Sequence, residues 1–188
     1  MLIAVVGLNG SGKDTVAKII VDKFGFTTVS ISDIIRREVA ARGLDSTLRD
    51  NMNFVAEGER KKHGPDVWIK KALNNYSSKD KIVLSSFRHP SEINIVKEKG
   101  GVVILCDANL ETRFNRTVQR VKDNPALHGS TTLEDFKRTE RIELSNPDKN
   151  KMQMGQCVKM FDYKIDNNST LEKLYSQVDS LMKMIMQQ

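Results

Sequence analysis

Residues 7–15 read GLNGSGKDT, a spacing that suits the binding of a polyphosphate. Gly7, Gly10 and Gly12 let a short loop curl until its backbone N–H groups point inward, and Asn9 and Ser11 complete the turn. A helix beginning behind that loop adds its positive N-terminal end, and Lys13 would reach the outer phosphates, where charge builds during phosphoryl transfer. The stretch nearly completes G-x-x-x-x-G-K-[ST] and then departs from it. Asp14 stands where a magnesium-binding hydroxyl is expected, and Thr15, the fallback hydroxyl, is turned about 100° further around the helix.

A second departure matches the first. The usual partner of that hydroxyl is an Asp at the end of a neighbouring strand, whereas KIVLSSFR offers Ser85 and Ser86 there. Acid and hydroxyl look exchanged. Magnesium takes hard oxygen ligands and keeps several waters, so Asp14 and Ser85 are the expected metal ligands. The plainer alternative for Asp14 is a first-turn acid favouring the helix dipole.

The remaining candidates are arginines. Asp33 can cap a helix whose first turns carry Arg36, and Arg88 leaves the carboxyl end of a strand, where α/β sheets bind ligands. Arg116 and Arg120 lie four apart on one helical face, and Arg138 and Arg141 follow on the next helix. Each has a plainer alternative as a solvated or surface-paired charge. His63, His89 and His128 lack metal-ligand spacing, although His89 is next to Arg88. Trp68 reads as helix packing.

The elements that must position these groups are short β-branched runs at 2–6, 27–31, 81–86, 101–106 and 162–166, separated by helical patterns. The helices are expected at about 13–24, 33–42, 47–62, 65–76, 90–99, 110–122, 132–145 and 170–186. Continuous apolar strands alternating with helices predict an α/β fold, with a five-stranded parallel sheet covered by helices on both faces. The 188 residues fit one domain, 1–188. Two excursions, about 33–80 and about 116–150, are longer than crossovers require, and VKDNPALHGSTT at 121–132 reads as the tip of a mobile flap. Pro65 after Gly64 suits the first turn of a helix, and Ser169 or Thr170 suits the cap of the last one.

Composition narrows the classes further. Apolar residues make up 39% and charged residues 29%, with no run approaching a membrane span. The opening MLIAVVGLNG reads as a first strand rather than a signal peptide, which leads to a cytoplasmic expectation. Thirty Lys+Arg against twenty-four Asp+Glu give +6, which suits an anionic partner. The basic residues are dispersed, so small nucleotides are favoured over nucleic acid. Cys106 and Cys157 lack metal spacing and are read as reduced packing residues.

The motifs GLNGSGKDT, SISDIIRREVAARG, SSFRHPSEI, ETRFNRTVQR and DYKIDNNSTLEKL occur in the order seen in nucleoside monophosphate kinase-like P-loop proteins. The chain resembles their adenylate kinase-related and dephospho-CoA kinase-like members, and kinase-like domains fused to deoxycytidylate deaminases. The K-D-T ending of the loop is similar to that of phage deoxynucleoside monophosphate kinases. The resemblance implies that Arg36 and Arg88 bind an acceptor monophosphate, that Arg116 and Arg120 sit at the base of a lid, and that Asn167 and Asn168 lie near the adenine. It also implies ATP and Mg2+, with transfer of the γ-phosphoryl group to a nucleoside or deoxynucleoside monophosphate. Arg138 and Arg141 would close on the phosphates. The alternatives are dephospho-CoA kinase-like activity and a nucleotide-binding sensor with little turnover.

Overall fold

The computed structural model describes residues 1–74, 77, 80–124, 130–148 and 150–187. Five strands, β1 (Leu2–Val6), β2 (Thr27–Ser30), β3 (Ile82–Ser85), β4 (Val102–Asp107) and β5 (Tyr163–Asp166), form one parallel sheet in the order β2-β3-β1-β4-β5. The first strand is central, its Ala4 in register with Leu84 of β3 and Val103 of β4. Because successive side chains point to opposite faces, LIAVV feeds two cores. Ile3 and Val5 join one cluster, and Ala4 and Val6 join the other.

The Ile3 side is covered by α1 (Lys13–Phe24) and α9 (Leu171–Ile185). Val16, Ile19 and Ile20 of α1 and Leu174, Val178 and Met182 of α9 supply buried surface at helical spacing. On the Ala4 side, α2 (Ile31–Ala41), α4 (Val67–Leu73), α5 (Pro90–Glu98) and the single-turn α8 (Met154–Cys157) cover the sheet. Helix α3 (Arg49–His63) packs on α2 and α4. Trp68 is fully buried there, donating from Nε1 to the Ala56 carbonyl at 3.2 Å, which makes it packing as expected. Helices α6 (Leu110–Asp123) and α7 (Leu133–Leu144) form the second excursion.

Several helix starts have clear causes. Asn109, Thr132 and Thr170 each cap the helix behind them with a side-chain oxygen. Pro90 opens α5, while His89 caps it through Nδ1, which accepts from the Ser91 N–H at 3.2 Å, so His89 has a structural role. Other starts differ from the sequence reading. Helix α2 begins at Ile31 with Ser30 at its cap position, so Asp33 lies in its first turn and is not the cap. Pro65 precedes Asp66, the cap position of α4, instead of lying inside the helix. Helix α8 was not anticipated, since four residues carry no periodicity. Of the flap tip expected at 121–132, residues 121–123 are the last of α6, and 125–129, His128 among them, lie outside the described residues. Among the described residues no helix is long and apolar enough to cross a membrane.

Candidate nucleotide and acceptor site

The loop at 7–12 leaves β1 and ends where Lys13 opens α1. Gly10 and Gly12 have φ of 78° and 94°, in the left-handed region where a side chain is strained. Space excludes one as well. A Cβ on Gly10 would strike the Arg113 carbonyl, and one on Gly12 would strike the Asn167 amide. The loop is clamped through the Ser11 carbonyl, which accepts from Asn167 Nδ2 at 2.8 Å, Cys106 Sγ at 3.1 Å and Arg116 Nη1 at 3.5 Å. Three separate elements therefore fix its curvature. Among the described residues the buried Ser11 Oγ has no hydrogen-bond partner.

In front of the loop lies a cleft of about 300 Å³. Asn9, Lys13 and Asp14 line it from the loop side, Arg36 from α2, Arg49 and Arg60 from α3, Ser86 and Arg88 from the end of β3, and Arg120 from α6. Helix α7 closes it with Phe136, Thr139, Glu140 and Glu143. The Lys13 side chain is 12% exposed and its ammonium lies 3.3 Å from the Asp14 carboxylate. Desolvation is the largest influence on Lys13 and lowers its pKa; Asp14 opposes that, while Arg88 and Arg120 add to it. The Arg88 guanidinium is pushed down to about 10, first by desolvation and then by Arg49. Desolvation and the nearby Arg120 also lower Arg49. A concave site where cations repel one another is built to receive an anion.

Of the residues expected from sequence, Asn9, Lys13, Asp14, Arg36, Arg88 and Arg120 meet in this cleft. Gly7, Gly10, Ser11 and Gly12 form the loop beside it, and Arg120 donates to Asn9 Oδ1 at 3.1 Å. Others sit elsewhere. Ser85 is still paired with Ser30 in the sheet, buried and off the cleft wall. Ser86 is the first residue to leave the sheet and, unlike Ser85, lines the cleft, at φ 68° and 3.3 Å from Ser32 Oγ. The candidate partner of Asp14 thus moves from Ser85 to Ser86. Thr15 is exposed and off the cleft, and Asp33 pairs with Arg36 at 2.8 Å without lining it. Arg116 turns onto the loop and β5, donating to the Asn167 carbonyl at 3.0 Å.

Arg138 and Arg141 both face away from the cleft, Arg138 being 74% exposed and paired with Asp135. The cause is helical phase: residues 136, 139, 140 and 143 share the cleft face, which turns 138 and 141 outward. Asn167 and Asn168 are turn residues that hold neighbouring backbone, Asn167 gripping the loop and Asn168 accepting from the Asn109 N–H at 2.7 Å.

The sequence reading missed Arg49, Arg60, Arg113, Glu140 and Glu143. Arg113 is buried, donates to the Ala108 carbonyl at 2.9 Å and forms a two-pronged pair with Glu140, tying α6 to α7. Arg60 is buried against Glu92 at 3.1 Å, and Glu143 pairs with Arg49 and, at 3.6 Å, with Arg88. Helical spacing offered one usable signal: Arg49 and Arg60 share a face with Met52, Asn53 and Ala56, which also line the cleft.

Magnesium and a triphosphate fit what is present. A crowded glycine cradle ends at Lys13, and an open carboxylate, Asp14, is 65% exposed beside it. Among the described residues no group of three or more His, Cys, Asp or Glu converges on a metal site. Magnesium keeps waters and substrate phosphates in its shell and needs only one or two protein carboxylates, of which Asp14 would be one.

The sheet order and the glycine loop between β1 and α1 define a P-loop kinase type of fold, with structural neighbours to match. A shikimate kinase from Bacteroides thetaiotaomicron superposes with a TM-score of 0.64 at 12% identity, over 99% of this chain and 98% of that one. A shikimate kinase from Acinetobacter baumannii in complex with shikimate gives 0.60 at 18%, over 99% and 93%. At such identities the likeness is one of fold. The chain belongs to the AAA domain family, which matches residues 6–133. It is 29% identical to a UPF0200 protein of Methanosarcina barkeri over 91% of this chain and 88% of that one. A UPF0200 protein of Hyperthermus butylicus is 26% identical over 97% and 93%. The resemblance to deaminase-linked domains finds no support in these comparisons.

Proposed function

We propose that this protein is an ATP-dependent phosphotransferase that moves the γ-phosphoryl group of Mg-ATP to a nucleoside or deoxynucleoside monophosphate-like acceptor. One observation carries the reading: a single cleft brings together the loop lysine and arginines from α2, α3, α6 and the end of β3. The loop amides and Lys13 hold the donor's phosphates. Arg36 and Arg88 hold and orient the acceptor's phosphate, and Arg120 adds positive charge over the loop. Such chemistry is mostly positioning and charge neutralisation, so arginines supply what it needs and a general base is dispensable for an acceptor that is already ionised. When bound, magnesium would neutralise the phosphate charge, with Asp14 and Ser86 the residues to hold it, directly or through water.

The test is direct. Purified protein with ATP and magnesium is offered ribo- and deoxyribonucleoside monophosphates, dephospho-CoA and shikimate, and each product is resolved by chromatography. Formation of a nucleoside diphosphate is the expected outcome. Phosphorylation of dephospho-CoA or shikimate alone would reassign the acceptor. Stabilisation by nucleotide with no product from any acceptor would replace the reading with a sensor.

A further inference from the structure

The cleft already holds an anion of its own. Glu143, on the cleft face of α7, has only 5% of its side chain exposed; its carboxylate is ion-paired with Arg49 at the start of α3 and with Arg88 beyond β3, but among the described residues its buried Oε1 has no hydrogen-bond partner. Oε2 and Arg88 Nη1 are 3.6 Å apart, close enough for charge attraction but beyond a hydrogen bond. Arg60 is buried beside them and donates from Nη2 to Glu92 Oε1, while among the described residues its Nε has no hydrogen-bond partner. These three guanidinium groups share the cleft wall with the carboxylates of Asp14, Glu57, Glu140 and Glu143, of which Glu143 is the one that pairs with both Arg49 and Arg88.

We propose that Glu143 is an internal stand-in for the acceptor's anionic group, which binds between Arg49 and Arg88 by displacing it and is thereby selected as a phosphate over a carboxylate. This rests on the phosphotransferase reading above. A carboxylate acceptor offers the arginines the same charge and the same two oxygens that Glu143 already supplies. Exchange would then gain nothing and would leave Glu143 buried and unpaired, which is costly. A phosphate dianion brings about twice the charge and three acceptor oxygens, enough to engage two guanidinium forks together. Its surplus attraction can offset the release of Glu143 towards water. Because Glu143 is part of α7, that release loosens the helix from Arg49 and Arg88 while the Arg113–Glu140 pair still anchors it to α6. Arg49 becomes an acceptor-binding residue, and Glu143 the residue that sets specificity.

The experiment is calorimetric titration of the full chain, saturated with magnesium and a nonhydrolysable ATP analogue so that the loop is filled, with inorganic phosphate or acetate as the second ligand. The wild type should bind phosphate and show no heat with acetate. Glu143→Gln, freed of the internal competitor, should bind phosphate on the order of tenfold tighter and acquire measurable acetate binding. Arg49→Gln should bind phosphate at least tenfold more weakly with unchanged affinity for the analogue. The proposal is overturned if Glu143→Gln binds phosphate no tighter than the wild type, if neither of them binds it, or if Arg49→Gln binds it normally. Should Glu143→Gln fail to fold, hydrogen exchange in wild-type α7 decides: protection should fall on adding phosphate, and unchanged protection overturns the idea. Failure of the wild type to take up the analogue would sink the phosphotransferase reading instead. The phosphate ranking of the three proteins would then be measured without analogue, on a Lys13→Ala background.

Discussion

At the scale of single residues, Gly12 shows how tightly the loop is specified. Its φ of 94° already disfavours a side chain, and the space a Cβ needs is taken by Asn167. Gly12→Ala should cost about 1–3 kcal/mol in backbone strain alone and displace the Asn167 clamp. ATP-analogue affinity, measured by calorimetry, should fall well beyond what the stability loss explains. Asp14 and Ser86 predict a different signature. Asp14→Ala should shift the magnesium concentration needed for half-maximal nucleotide binding upward, and Ser86→Ala should do so more weakly, whereas Lys13→Ala should abolish binding at any magnesium concentration. An unchanged magnesium requirement in both metal-site variants would remove them from the metal's surroundings. The loop was legible because glycine spacing records backbone shape directly. Ser86 was not, because SS leaves open by one residue where the strand ends, and only the pairing of Ser30 with Ser85 decides it.

Among the elements, Glu59 joins α2, α3 and α4. Its carboxylate accepts from Lys71 at 3.0 Å and Arg42 at 2.7 Å. Desolvation acts to raise its pKa, but those two hydrogen bonds outweigh it and hold Glu59 below the ordinary 4.5. A carboxyl group depressed on folding stabilises the protein fully above its unfolded pKa and loses that contribution as pH falls through the folded one. Glu59→Gln should therefore lower the thermal midpoint at pH 7, by about 2–4 °C for each kcal/mol lost in a chain of this size. The gap from the wild type should narrow as pH drops below 4.5. A constant gap across that range would mean that packing, not charge, is responsible. Strands and long helices were readable from periodicity to within a few residues. What could not be read was the rotational phase of α7, which turned Arg138 and Arg141 outward and brought Glu140 and Glu143 in. Charge sign and spacing do not fix phase in a helix whose outer face is also charged; burial of Phe136 fixes it.

For the molecule as a whole, donor binding should appear as stability. A ligand at about 100 times its dissociation constant adds roughly 2.7 kcal/mol, or about 5–11 °C in thermal midpoint for a domain of this length. Mg-ATP analogue should produce such a rise in the wild type and none in Lys13→Ala, as scanning fluorimetry would show. The cradle that gathers this energy is read early in the chain but finished late. Its walls come from Cys106, Arg113 and Asn167, and its strand pairs with residues 80 and 99 positions downstream. During synthesis at about 5–20 residues per second, roughly eight to thirty seconds separate the appearance of Lys13 from that of Asn167. For that interval the nascent polypeptide carries an unformed pocket, so nucleotide cannot template the early stages of folding on the ribosome and can only lock the finished sheet.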